Sequence, residues 1–240
     1  MNKKERARFY INSEGPDESA IGIGIKWLAE IGKDNPKKRK SLFAINQLHE
    51  LEDGSILADF LGDKRARQLR QSKQIEFKDD FSMNLFLARQ RDLYSWNGPV
   101  LALYPTAKLL DKVEDLYEVT DILVISRRIE EIQPWIYTWG VPELGTSQQS
   151  VPISQRPMHP EVEARLKEIS HMNSGDCFTH PSDHKRIVEI FRSFKKRGVP
   201  YDSNEIRAWL IREGGCKSGA ADEVKSIAQS ILDGKRIHAV

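Results

Sequence analysis

Three runs in this chain are apolar without alternation: Ser41-Leu42-Phe43-Ala44-Ile45, Gly98-Pro99-Val100-Leu101-Ala102-Leu103-Tyr104 and Asp121-Ile122-Leu123-Val124-Ile125. A strand with one wet face alternates apolar and polar residues, whereas a strand covered on both faces does not. The runs therefore call for a mostly parallel sheet with helices on each side. Amphipathic segments fall where such a sheet needs them. After a first extended segment, Phe9-Tyr10-Ile11, a helix is expected from Asp17 to Ile31, with Ile21, Ile25 and Leu28 on one face and Gly32 closing it. A second helix is expected from Ser55 to Leu69. Gln74–Lys78 and Met83–Ala88 read as short strands. Leu109, Val113 and Leu116 define another helix, and Ile129, Ile132, Ile136 and Trp139 one more, which Pro134 is expected to kink or split. The order of elements gives an α/β fold over residues 1–140, an open three-layer, Rossmann-like arrangement with the strand order left undetermined.

The pattern stops at Val141. Thr146-Ser147-Gln148-Gln149-Ser150, with Pro152, Pro157 and Pro160, has no apolar period, so 141–160 reads as a linker. Helices resume over about 160–171, 182–197, 203–213 and 220–233, making 161–240 a small all-helical bundle. Its punctuation is clear: Gly198-Val199-Pro200 ends one helix, and Asp202 with Glu205 has capping-box spacing.

The apolar fraction of 39% and charged fraction of 30% suit a globular chain with a solvated surface, and no apolar run approaches the ~20 residues that span a bilayer. With Arg8 to Ile11 already strand-like, no signal-peptide core is expected, and two cysteines, Cys177 and Cys216, point to a reducing compartment; a cytoplasmic protein without membrane attachment is the expectation. The net charge of +2 creates no global field for nucleic acid. Basic residues do cluster locally at Lys37–Lys40, Lys64–Arg70 and Lys195–Arg197, the last suited to a helix C-terminus.

In open parallel sheets, ligands bind beyond the carboxyl ends of the strands. That rule nominates Asn12 and Ser13 after the first strand, Asn46 and His49 after the second, Thr106 and Lys108 after the Gly98–Tyr104 run, and Ser126, Arg127 and Arg128 after the last. A polar, partly cationic rim of this kind suits a phosphate, a nucleotide or a nucleic-acid backbone, although Ser, Thr and Asn at such places also cap helices.

Familiar motifs are scarce. Gly22-Ile23-Gly24 lies inside a helical pattern and lacks a third glycine, so close helix packing explains it better than dinucleotide binding. There is no Walker loop and no Gly-x-Ser-x-Gly elbow. Glu76-x-Lys78, preceded by Asp59 and Asp63, resembles the acid-x-Lys pair of metal-dependent nucleases. His171, Cys177, His180 and His184 have a zinc-like spacing, yet His180-Pro181-Ser182-Asp183 is also a natural helix start. The last helix carries Asp222, Glu223 and Asp233 against Lys225, a poor surface for a DNA groove.

No cofactor and no reaction follow from these residues. The leading expectation is an accessory, non-enzymatic protein whose α/β domain binds a phosphate-bearing ligand or nucleic acid at the strand ends. Its helical domain would dock a protein partner or a second copy. The alternatives are a metal-dependent hydrolase or nuclease using Glu76 and Lys78, and a structural component of a larger assembly.

Overall fold

The computed structural model describes residues 3–77, 81–90, 92–146, 157–172, 180–235 and 237. They divide into two compact units, one of Met1–Gln133 with Val141–Gln148, the other of Pro134–Gly140 with Gln149–Val240.

The first unit is built on a six-stranded sheet: β1 (Ala7–Asn12), β2 (Lys40–Ile45), β3 (Gln74–Glu76), β4 (Ser82–Leu87), β5 (Ser95–Leu103) and β6 (Tyr117–Ser126). Their order is β1-β6-β5-β2-β4-β3. Every pairing is parallel except β3 with β4. This settles the order that the sequence left undetermined, and it departs from the dinucleotide-binding arrangement, in which the first strand is central. Here β1 lies at an edge.

The absence of alternation in β2, β5 and β6 has its cause in the two covers of the sheet. Phe43, Ile45, Leu101, Leu103, Leu123 and Ile125 belong to one core, shared with Ile21 and Leu28 of α1 (Glu18–Asp34), Leu57 of α2 (Ile56–Leu61) and Leu69 of α3 (Asp63–Ser72). The residues between them, Leu42, Ala44, Val100, Ala102, Ile122 and Val124, are equally buried on the opposite face. That face is covered by α4 (Ala107–Asp115), whose Leu109, Leu110 and Val113 are inaccessible.

Gly24 shows how closely α1 approaches the sheet, since a Cβ there would stand 2.9 Å from Ile125 Cδ1 and 3.0 Å from Leu101 Cδ1. Gly22 has more room, with the Phe60 ring 3.5 Å away. A buried ion cluster ties the start of β1 to α4. Arg8 Nε and Nη2 donate to the two Glu114 carboxylate oxygens at 2.8 and 2.9 Å, and Arg6 Nη1 donates to Glu114 O at 2.7 Å. Burial pushes the Arg6 guanidinium below its ordinary pKa, against the opposing pull of Glu114.

Several boundaries differ from the sequence reading. Gly32 does not close α1, which runs on to Asp34; it is buried inside the helix, against the Arg39 backbone. The helix expected from Ser55 to Leu69 is two helices, because Gly62 takes φ +78° and ψ 145° between α2 and α3. Pro134 neither splits nor ends α5 (Ile129–Trp139); its ring is on the exposed side, and the Thr138 hydroxyl donates to its carbonyl at 2.7 Å. The start of the expected linker is not free chain. Tyr10 N donates to Pro142 O and Leu144 N to Tyr10 O, so 142–144 lies along the outer edge of β1. Linker residues 147–156 fall outside the described residues.

The second unit contains α6 (Pro160–Met172), α7 (Pro181–Arg197), α8 (Ser203–Arg212) and α9 (Ser218–Leu232), with a core of its own from Leu166, Ile187, Phe191, Phe194, Ile206 and Val224. Its helix ends follow the sequence signals. His180 caps α7 with Pro181 in the first turn, Gly198 takes the left-handed conformation at φ +69°, and Asp202 Oδ1 accepts from Asn204 N and Glu205 N. Lys195 donates to Ile231 O and Leu232 O at the end of α9, which accounts for one member of the third basic cluster. Among the described residues no helix is long and apolar enough to cross a membrane.

Candidate functional site

Strand order places a topological switch between β2 and β5. The chain leaves β2 through a short 3-10 turn (Leu48–Leu51), α2 and α3 toward β3 and β4 on one side, and it leaves β5 through α4 toward β6 on the other. Connections that diverge from neighbouring strand ends leave a crevice between them. The Asn46 side chain fastens its base, with Nδ2 donating to Tyr104 O at 2.8 Å and Oδ1 accepting from Thr106 N at 2.9 Å. Tyr104 bends the chain there with φ +45°, a left-handed conformation that a tyrosine rarely adopts. Its hydroxyl accepts from Asp17 N at 2.9 Å, and the Arg127 guanidinium stands 4.3 Å from its ring centroid.

Two cavities open in this crevice, and His49 lines both. The larger, about 410 Å³, is bounded by Asn46 and His49 beyond β2, Ala88 and Arg89 beyond β4, and Lys108 in the first turn of α4. Lys112, one turn further along α4, donates to Ala88 O and Gln90 O and so holds the loop that carries Arg89. Arg89 and Lys108 have no hydrogen-bonding or anionic partner among the described residues.

The smaller cavity, about 260 Å³, has Leu57 and Leu103 on its apolar side and Glu50, Tyr104 and Arg127 on its polar side. Burial raises the Glu50 carboxyl above the ordinary range, although the Gln47 N–H, donating to Oε1 at 2.9 Å, and the nearby His49 and Arg127 favour its ionised form.

The nominated rim residues separate into two groups. Ser13, Thr106 and Ser126 serve the backbone: Ser13 Oγ lies 2.9 Å from Ser126 O, Thr106 Oγ1 accepts from Leu109 N, and Ser126 Oγ donates to Arg128 O. Asn46, His49, Lys108 and Arg127 line the cavities. Arg128 is exposed and lines neither cavity, while Asn12 Oδ1 is buried without a hydrogen-bond partner. Sequence reasoning missed Arg89 and Glu50. Arg89 directly follows the β4 run and was within reach of the strand-end rule.

The other candidates do not assemble. Glu76 is exposed on the short antiparallel edge strand β3, and Lys78 lies outside the described residues. His180 is used as a helix cap, its Nδ1 2.6 Å from Ser182 Oγ; His171 is exposed, His184 Nδ1 is buried without a partner, and Cys177 lies outside the described residues. Among the described residues no three His, Cys, Asp or Glu side chains stand together as a metal site.

The first two basic clusters are dispersed or locally neutralised. Lys37–Lys40 lies where β2 begins, at the opposite end of the sheet from the crevice, with Lys38 paired to Asp121 at 2.7 Å. In α3, Arg67 faces Asp53, Arg70 faces Glu52, and Arg65 lies over the Phe77 ring.

Residues 158–239 match the family model of a domain of unknown function (DUF1889). The matched stretch takes in α6 to α9 and none of the crevice. No curated protein matches the chain. The matched segment thus coincides with the helical core of the second unit.

Proposed function

We propose that the α/β unit binds a small phosphate-bearing ligand in the crevice beyond β2, β4 and β5. The observation that carries this reading is the pair Arg89 and Lys108, two cations without described anionic partners lining one cavity at the switch point. An unneutralised pair of positive charges beside a concave surface attracts an anion, and the first-turn amides of α4 add to that potential. Because the polar groups at the base are already bonded to backbone, the crevice suits binding better than catalysis. A small ligand fits better than a nucleic acid, since the Lys37–Lys40 cluster lies at the other end of the sheet and the α3 arginines face Glu52 and Asp53.

Calorimetric titration of the full chain with inorganic phosphate, pyrophosphate and AMP tests the reading. Saturable binding is expected, weakening by about tenfold in Arg89→Ala and in Lys108→Ala and falling with added salt. Absence of saturable binding for all three compounds overturns it.

We also propose that residues 161–240 form a module that docks a partner chain or a second copy, with 1–140 as the α/β domain and 141–160 joining them, except that Pro134–Gly140 groups with the helical unit and Val141–Gln148 with the α/β unit. A separate core and the family match over 158–239 support this division. A cytoplasmic, reducing setting suits a chain with only two cysteines. A fragment of residues 157–240 is expected to be helical, to melt cooperatively and to self-associate or bind a partner; an unfolded or strictly inert fragment refutes the module.

A further inference from the structure

We propose a second ligand site, independent of the crevice, for a small amphipathic anion: an apolar body carrying one carboxylate. It is a cavity of about 320 Å³ between the last turns of α1, the start of α3 and the two phenylalanines Phe77 and Phe81. The α1 wall consists of Ile25, Ala29 and Gly32, positions four and three residues apart and therefore on one helix face. Gly32 contributes no side chain and lets the Arg39 backbone come near, a Cβ there standing 3.3 Å from Arg39 Cα. The facing wall is aromatic, with the Phe77 and Phe81 rings 5.3 Å apart.

The charged part of the lining is cationic. Lys33, Arg39 and Arg65 line the cavity with these apolar residues, and no described lining residue is acidic. Arg39 has a contact of its own, and Lys33 and Arg65 supply the charge for an anion. The Arg65 guanidinium stands 5.4 Å from the Phe77 centroid, and the residue is exposed to solvent.

Each part of this arrangement excludes a ligand class. The apolar walls give a bare anion such as phosphate nothing to bury. The cationic side chains in the lining favour a charged head over a neutral hydrocarbon of the same shape. A cavity of this size lies at the small end of ligand pockets and accommodates on the order of ten non-hydrogen atoms. Location separates it from the crevice: Arg39 precedes β2 and Phe81 precedes β4, at the ends where the parallel strands begin.

Octanoate is the probe, titrated into the full chain by calorimetry with 1-octanol and inorganic phosphate as controls. Octanoate is expected to bind saturably and at least about tenfold tighter than octanol, with inorganic phosphate not competing. Ala29→Trp, which fills the cavity from an accessible helix position, should abolish octanoate binding. The surface pair Lys33→Glu with Arg65→Glu should weaken octanoate by about tenfold and leave octanol unchanged, and it decides the matter if the tryptophan variant fails to fold. Arg89→Ala should leave octanoate binding intact. The proposal is overturned if octanoate shows no saturable binding up to about 10 mM, if the double charge reversal binds it as the parent does, or if Arg89→Ala removes it.

Discussion

Asn46 and Tyr104 hold the ends of β2 and β5 together through a single side-chain amide, 2.8 Å from Asn46 Nδ2 to the Tyr104 carbonyl, while the same amide accepts the Thr106 N–H. These strands are neighbours whose onward connections run in opposite directions, so nothing in the sheet ladder beyond Ala44 and Ala102 joins their exits. The amide does that job and sets the floor of the crevice.

Asn46→Ala should therefore be costly for a half-buried position. Two backbone groups lose their partner, and a loss of about 1–3 kcal/mol is expected in urea unfolding. Asn46→Asp keeps the acceptor for Thr106 N but cannot donate to Tyr104 O. It should lie between the parent and the alanine variant, and equal stability of all three would show the clasp to be idle.

Gly22 and Gly24 stand two residues apart in α1 and should respond oppositely to the same change. Gly24→Ala forces a methyl against Ile125 and Leu101 and should destabilise by about 1–3 kcal/mol. Gly22→Ala meets only ordinary contact with Phe60 and should be neutral or gain up to about 1 kcal/mol from better helix propensity. Thermal melts of the two variants side by side check the contrast.

The Glu50 carboxyl gives a pH test with a definite sign. Its pKa is raised in the folded state, chiefly by burial, so the folded protein holds that proton more tightly than the unfolded chain. Its contribution to stability is fully present below the ordinary glutamate range and is lost as pH rises through the raised value. Glu50→Gln removes this dependence while leaving an oxygen for the Gln47 N–H. The variant should match the parent in acid, gain relative stability as pH climbs through the carboxylate range, and hold that gain at neutral pH. A stability difference that does not change with pH would contradict the buried assignment.

Glu114 neutralises two buried guanidiniums at once. Glu114→Ala strands Arg6 and Arg8 without their carboxylate and should cost about 3–5 kcal/mol, measured as a shift of the urea midpoint. Adding Arg6→Met and Arg8→Met to that variant should recover much of the loss, because the expense lies in uncompensated charge.

Legibility in the sequence followed burial. β2, β5 and β6 were readable because their residues are covered on both faces, leaving runs with no polar interruption. Strand order was not readable, since the pairing of Arg8 with Ile122 and of Leu42 with Val100 is decided by distant contacts. Gly62 looked like a helix interior because Leu57, Leu61 and Leu69 keep an apolar face across the break. Val141 to Leu144 looked like linker because a single parallel bridge leaves no period. The strand-end rule nominated His49, Lys108 and Arg127, which line the two cavities, without any motif. It passed over Arg89 because no residue beyond β4 was nominated, and it passed over Glu50 because that carboxylate owes its environment to the 3-10 turn around it.

The place of β1 bears on how the chain acquires its shape during synthesis. β1 is held on one side by β6 and on the other by residues 142–144, both made long after it; Ser13 and Ser126, which meet where β1 and β6 end, are 113 residues apart. At ribosomal speed that interval is on the order of ten seconds, during which β1 has no strand to lie against. Contacts of such long range are the slow part of folding. The β1 segment should accordingly be the last part of the sheet to gain protection from hydrogen exchange, and its open edge the part most exposed to misassociation while the ribosome is still working.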